Sequence, residues 1–274
     1  MMHDSVQSYL EKHSVSSFNI QAIALEGSGI VADRVQNLFQ QLTAREDWVD
    51  ALRNSDHVFI ATHSQGTVVS THLVRKIIEQ GYCAGLRLHL LAMCGIVQGP
   101  FTYLSESYAL SPYFTYLESA AARELFQFQS PGTAVSEELL HSLRTVFSHG
   151  VKVTAIGSIN DQVRPSPPSF APRADILQRE KVVPLYSALF AGISHPSLLR
   201  AVYIDSAAFR TSDFLVNLVV FATRLRNAGL SDHDLLYHIS EALAGALTGV
   251  GHSKLYEEGD VFEFVLFPSA LCHD

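Results

Sequence analysis

One stretch constrains this chain more than any other. A short apolar run, His57-Val58-Phe59-Ile60-Ala61, leads directly into Thr62-His63-Ser64-Gln65-Gly66, and then into residues Gln65–Gln80 of helical character, closed by Gly81. A run that is apolar on both faces is the pattern of a strand buried in a parallel sheet, and glycine is a good helix stop. A strand passing into a helix through so few residues must turn sharply. Ser64 at the apex of that turn projects above the sheet edge with a helix N-terminus behind it, the arrangement an acyl-accepting serine needs. A serine there would also serve as an ordinary helix cap. The buried strand before it and the helix after it favour the nucleophile. The backbone N–H of Gln65 is then one donor toward an oxyanion. Gly66 supplies the small residue that crowding across the turn calls for, whereas the β-branched Thr62 tightens it.

The rest of the chain alternates in the same way. Ser5–His13 reads as a helical piece, and Phe18–Leu25 alternates and ends at Gly27 and Gly29, as a strand does. Val31–Arg53 reads as one helix with Val35, Leu38, Leu42 and the core residue Trp48 on a face. Leu86–Ile96, Val151–Ile156 and Leu199–Ile204 supply further strands, and Phe214–Leu247 is helical before a glycine-rich loop, Gly249-Val250-Gly251-His252. Strands alternating with helices imply an α/β fold, a mostly parallel sheet with helices on both faces. The 274 residues suit a single such domain. Residues 99–149 are expected to form a helical cap, with Phe101, Tyr103, Tyr113 and Phe114 available to line an acyl pocket or to pack the cap itself.

A serine nucleophile on this fold is followed in sequence by an acid and then a histidine. The acid belongs on the loop after the next-but-one strand, which nominates Asp161 in Asn160-Asp161-Gln162, with Asp205 as the rival and an Asx turn as the ordinary alternative. Among thirteen histidines His252 has the right order and a loop setting, and would act as general base toward Ser64. His195, His233 and His238 read as structural or exposed, and His63, His72 and His89 lack the order.

A net charge of −8 gives no basic surface for nucleic acid. Cys83, Cys94 and Cys272 have neither disulfide nor zinc spacing. The first residues have no basic region leading into an apolar stretch, no apolar run approaches the roughly 20 residues of a bilayer span, and no Asn-x-Ser/Thr sequon occurs. A cytoplasmic protein without cofactor or metal is expected.

The stretches His63–Ser70, Met93-Cys94-Gly95-Ile96, Ala121–Phe126, Asn160-Asp161-Gln162 and Gly249–Ser253 resemble the α/β-hydrolase superfamily, and more narrowly fungal α/β-hydrolase-like proteins of the lipase/esterase kind. The resemblance runs from Phe18 to about Phe267. It implies hydrolysis of an ester, thioester or lipid, a small apolar acyl substrate, through an acyl-serine without a cofactor. Two departures stand out. Only two clear strands precede Ser64 and no His-Gly-type oxyanion loop does, so the N-terminal strands of the fold are expected to be lacking, with an exposed edge at Phe18–Leu25 open to self-association. The acid is also separated from Val182-Val183-Pro184 by Val163–Lys181, with prolines at 165, 167, 168 and 172, read as a disordered insertion. Both departures would suit a catalytically silent domain that binds a protein or lipid partner.

Overall fold

The computed structural model describes residues 2–14, 18–100, 120–159, 183–206, 209–210, 212–243, 255 and 261–262. Its elements in chain order are α1 (Met2–Lys12), α2 (Val31–Thr43), α3 (Glu46–Asn54), β1 (Val58–His63), α4 (Gly66–Glu79), β2 (Leu88–Met93), α5 (Ala120–Gln127), α6 (Ala134–Ser148), β3 (Lys152–Ser158), α7 (Leu185–Ala188), β4 (Leu198–Tyr203), α8 (Phe214–Asn227) and α9 (Leu235–Leu243). The four strands form one sheet in the order β1-β2-β3-β4. Every pair is parallel, as strands joined by helical crossovers must be.

The sheet is covered on two sides, and successive residues of a strand serve opposite layers because side chains alternate along it. Leu90, Ala92, Val153 and Ala155 join Leu38 and Leu42 of α2, Val69 and Leu73 of α4, and Leu139, Leu143 and Val146 of α6 in the main core. Their neighbours Leu91, Met93 and Ile156 pack instead with Leu255, Val261 and Phe262. Burial on both sides explains why β2 reads as an apolar run broken only by His89, all six of its residues being buried. Each such Leu or Val contributes about 1.5–3 kcal/mol. A third cluster joins α7, α8 and α9 through Leu185, Leu189, Val216, Val219 and Leu236.

At the β4 end the backbone of Arg200 is paired by a side chain. Its N–H donates to Asn227 Oδ1 at 2.9 Å, and Asn227 Nδ2 donates to its carbonyl at 2.8 Å. An amide in the place of a neighbouring strand blunts that sheet edge. The buried Arg200 guanidinium turns inward, donating to the carbonyls of Leu189, Phe190 and Ile193.

Four expectations change. Phe18–Leu25 is not a strand; it pairs with no other strand, and Ile23 and Leu25 pack on the main core instead. The exposed edge expected there is therefore not formed by that segment, and β1 stands at that end of the four-stranded order. Val31–Arg53 divides at Ala44 and Arg45, where Thr43 Oγ1 turns back to the Phe39 carbonyl and Arg45 chelates Asp47 through two nitrogens. Trp48 is half-buried, packed against the core with the Arg45 guanidinium 4.5 Å from its ring centre. Of Phe214–Leu247, the part up to Leu243 likewise divides into α8 and α9, and residues 244–247 lie outside the described residues. Of the region 99–149, α6 is a sheet-covering crossover helix that packs on α4, while residues 101–119 lie outside the described residues. The segment Val163–Lys181 lies outside them as well.

Two buried histidines give the fold a pH dependence. His72 Nδ1 lies 2.7 Å from Ser142 Oγ between α4 and α6, beside Arg75 and Glu138, which pair at 2.7 Å. His89 stacks on Phe59 at 4.7 Å with the His57 ring nitrogen 3.3 Å away. Burial pushes each imidazole down to about 4, with Arg75 adding to the effect at His72 and His57 and Lys152 at His89. Unfolded chains take up these protons near pH 6.5 while the folded one does not, so the stability held above about pH 6.5 is lost as pH falls toward 4. Urea midpoints measured from pH 7 to 4.5 should fall. The fall should be shallower in the His72→Gln/His89→Phe double variant; an unchanged slope would place its origin in other groups.

Candidate active site

The chain leaves β1 at His63 and enters α4 at Gly66, so Ser64 and Gln65 alone make the turn. Ser64 takes φ = +55°, in the left-handed region. For a residue with a Cβ that conformation is strained by about 1–3 kcal/mol, and it persists only where the surroundings over-determine it. They do so here. The Ser64 N–H donates to the Met93 carbonyl at 2.9 Å, continuing the β1–β2 ladder one residue past its His63–Met93 pair. The Ser64 carbonyl accepts from the N–H groups of Thr67 at 3.1 Å and Ile96 at 3.4 Å. With both backbone groups used, the side chain is the part of Ser64 left to act. It is partly exposed, and among the described residues neither its hydroxyl nor the Gln65 N–H has a hydrogen-bond partner.

The crowding expected across the turn is located elsewhere. A Cβ at Gly66 would meet nothing within 4 Å, so space does not demand glycine there. Thr62 is accommodated because it is buried as a polar group with partners. Its Oγ1 donates to the Leu91 carbonyl at 2.9 Å and, its proton spent, accepts from Thr67 Oγ1 at 3.2 Å. The close approach is at Gly95, in the loop after β2. A methyl there would lie 2.8 Å from Thr67 Cγ2 and 2.9 Å from its Oγ1. Cys94 just before it has φ = +46°, with its N–H on the Ile156 carbonyl at 2.8 Å. Met93-Cys94-Gly95-Ile96 is thus the wall behind the turn, a role that no chemistry-bearing residue in it would have announced.

A second group meets the turn from α2. Arg34 Nη1 donates to Gln65 Oε1 at 2.9 Å, and Glu124 of α5, itself buried, accepts the Val31 N–H at 2.7 Å. Partial burial holds the Arg34 guanidinium below its usual range, and the Glu124 charge acts the other way. Neither residue carries a sequence signal for a site, although Glu124 falls within the stretch 121–126.

Asp161 and His252 lie outside the described residues. Their described neighbours share the Ser64 end of the sheet. β3 ends at the buried Ser158, three residues before Asp161. Leu255, three residues after His252, is fully buried among Leu91, Met93, Cys94 and Ile156. Asp205, the rival acid, follows β4, three strand spacings from β1, or about 14 Å, against about 10 Å for the end of β3. An open cavity of about 360 Å³ between Gln98, Tyr186, Gly192, Tyr237 and His238 does not include Ser64 in its lining. Among the described residues no three His, Cys, Asp or Glu side chains are grouped to hold a metal ion, and no helix is long and apolar enough to cross a membrane.

A family model for the YMC0/YMC35 alpha/beta hydrolase domain matches residues 1–172 and 177–270. Its break falls inside Val163–Lys181, while the match itself continues across residues 163–172. No curated protein and no solved structure matches the chain.

Two substitutions check this account of the turn. Thr67 is fully buried and cannot swing aside, so Gly95→Ala should cost about 1–3 kcal/mol in a denaturant melt. At Ser64, glycine escapes the left-handed penalty and alanine does not. Ser64→Gly should therefore be more stable than Ser64→Ala by about 1 kcal/mol; equal stabilities would mean the turn is unstrained.

Proposed function

We propose that this chain, which belongs to the YMC0/YMC35 alpha/beta hydrolase domain family, is a serine hydrolase that cleaves carboxylic esters of apolar acyl groups, lipids among them. The observation that carries the reading is the left-handed Ser64 between a partly buried parallel strand and a helix N-terminus, with both its backbone groups fixed and the residue itself partly exposed. A strained serine that caps nothing is a poor structural choice and a good nucleophile.

In this mechanism His252 takes the Ser64 proton as Oγ bonds to the ester carbonyl carbon, with Asp161 fixing the imidazole tautomer and steadying the imidazolium. The negative charge forming on the carbonyl oxygen is met by the Gln65 N–H at the positive end of α4. Collapse breaks the bond to the alcohol, which leaves with the proton from His252. Water, deprotonated by the same histidine, then releases the acid and restores Ser64. Two observations support the assignment of the partners: the burial of Leu255 against the ends of β2 and β3, and the ending of β3 close before Asp161. No cofactor enters any step.

The test is labelling with a fluorophosphonate, which phosphonylates an activated serine. Wild type should be labelled at Ser64 and should hydrolyse p-nitrophenyl esters of short and medium acyl chains. Ser64→Ala should lose both by 10³-fold or more, and His252→Ala and Asp161→Asn should lose most of the rate, while all three stay folded. A folded wild type that is neither labelled nor active would identify a silent domain that binds a protein or lipid partner.

A further inference from the structure

From the contact between α2 and the turn, we infer that Arg34 is a positioning residue for catalysis, holding Gln65 so that its N–H stays aimed at the oxyanion. The inference rests on the serine-hydrolase reading and adds to it a residue that neither the Ser-acid-His order nor the turn itself would nominate.

Gln65 has the first helical conformation after the strained serine, with φ −59° and ψ −26°, and its side chain makes no cap for α4. Its backbone N–H has no acceptor among the described residues, and the peptide that would bind the oxyanion is held on its other side only, where the Ser64 carbonyl accepts from Thr67 at 3.1 Å and, at a long 3.4 Å, from Ile96. The side chain supplies a tether through the 2.9 Å bond from Arg34 Nη1 to Oε1. Arg34 lies in the first turn of α2, whose own N-terminus is fastened to the distant α5 by the Glu124–Val31 bond, across 93 residues of sequence. The two bonds form one brace from α5 through α2 to the nucleophile turn.

The way Arg34 spends its charge argues that the contact is more than packing. A partly buried guanidinium ordinarily faces a carboxylate. Here the Glu124 carboxylate acts on Arg34 through space, while its Oε2 is taken by the Val31 N–H, and Arg34 donates to a neutral amide beside the nucleophile. The buried Arg34 Nε and Gln65 Nε2 make no hydrogen bond, so the pair is a poor device for stability and costs something to bury. Alignment matters most when charge appears on the substrate, since a donor a fraction of an ångström out of place binds the ground state as well and the transition state less well.

The experiment measures kcat and KM on a p-nitrophenyl ester, together with the fluorophosphonate labelling rate, for wild type, Arg34→Leu, Arg34→Lys, Gln65→Leu and the Arg34→Leu/Gln65→Leu double variant. Expected is a fall in kcat of about 10-fold for each leucine variant with KM within twofold. The labelling rate should fall in parallel, because phosphonylation builds the same charge. Lysine at 34, able to reach the amide with one donor, should recover part of the loss. The double variant should be no slower than the worse single one, as residues acting through one bond are not additive. A kcat unchanged in Arg34→Leu, a loss confined to KM, or additive losses in the double variant would overturn the inference while leaving Ser64 as nucleophile. An inactive, unlabelled wild type would overturn the enzyme reading and this inference with it. Melting temperatures separate a misfolded variant from a misaligned one.

Discussion

The hydrogen bond from Ser64 N–H to the Met93 carbonyl is the constraint on which the site depends. It extends the parallel ladder of β1 and β2 by one residue beyond the last strand pair, His63 with Met93. A strand that continued straight would carry Ser64 out over the sheet with its side chain on one face. Here the chain instead folds into α4 while its N–H stays tied to the neighbouring strand, and the compromise is a left-handed φ of +55°. Everything that keeps β2 in place therefore keeps Ser64 strained. That includes the six buried residues of β2, the Cys94 N–H on Ile156, and the contact of Gly95 with Thr67.

The sheet gives that constraint its rigidity. Its inner strands are buried on both sides, so a shift of β2 by one residue would exchange Leu90 and Ala92 with Leu91 and Met93 between two packed layers. Helices α2, α4 and α6 lie on one side, and residues around Leu255 and Phe262 on the other. The first layer holds the helix whose N-terminus backs the serine and the helix that sends Arg34 to Gln65. The second holds the chain that has just passed His252. That second layer is how Ala61 and Leu255, far apart in sequence, come to share one cluster.

Buried polar groups follow a common pattern in this molecule. Thr62, Arg200, His72 and Asp232 are each matched by a partner close at hand: a carbonyl, a cluster of carbonyls, a serine hydroxyl and the Arg226 guanidinium. Several guanidinium and amide groups are satisfied only in part, Arg75, Arg226 and Gln98 as well as Arg34 and Gln65, each of the last two with a buried nitrogen that makes no hydrogen bond. What sets the Arg34–Gln65 pair apart is its place, since it is joined side chain to side chain directly beside the partly exposed Ser64.

The local pattern of residues was enough to place all four strands of the sheet, because runs such as Phe59-Ile60-Ala61 and Leu90-Leu91-Ala92-Met93 are short and apolar; burial on both faces holds for the second, whereas the first lies in the end strand β1 and is only partly buried. It also placed the turn at Ser64, since the strand and the helix on either side leave two residues to join them. It failed where the deciding partner was remote. Phe18–Leu25 alternates like a strand, but a strand exists only if another offers its edge, and Ile23 and Leu25 are taken by the core instead. Thr62 looked too large and Gly66 necessary until the Leu91 carbonyl and the Gly95–Thr67 contact showed where space was short. Arg34 and Glu124 were invisible, as a charged residue on a helix face has no periodicity to mark it. Periodicity reports how a segment divides itself between core and water. Which side chains then meet across 31 or 93 residues is fixed by the packing of layers, and that is decided only when the chain is folded.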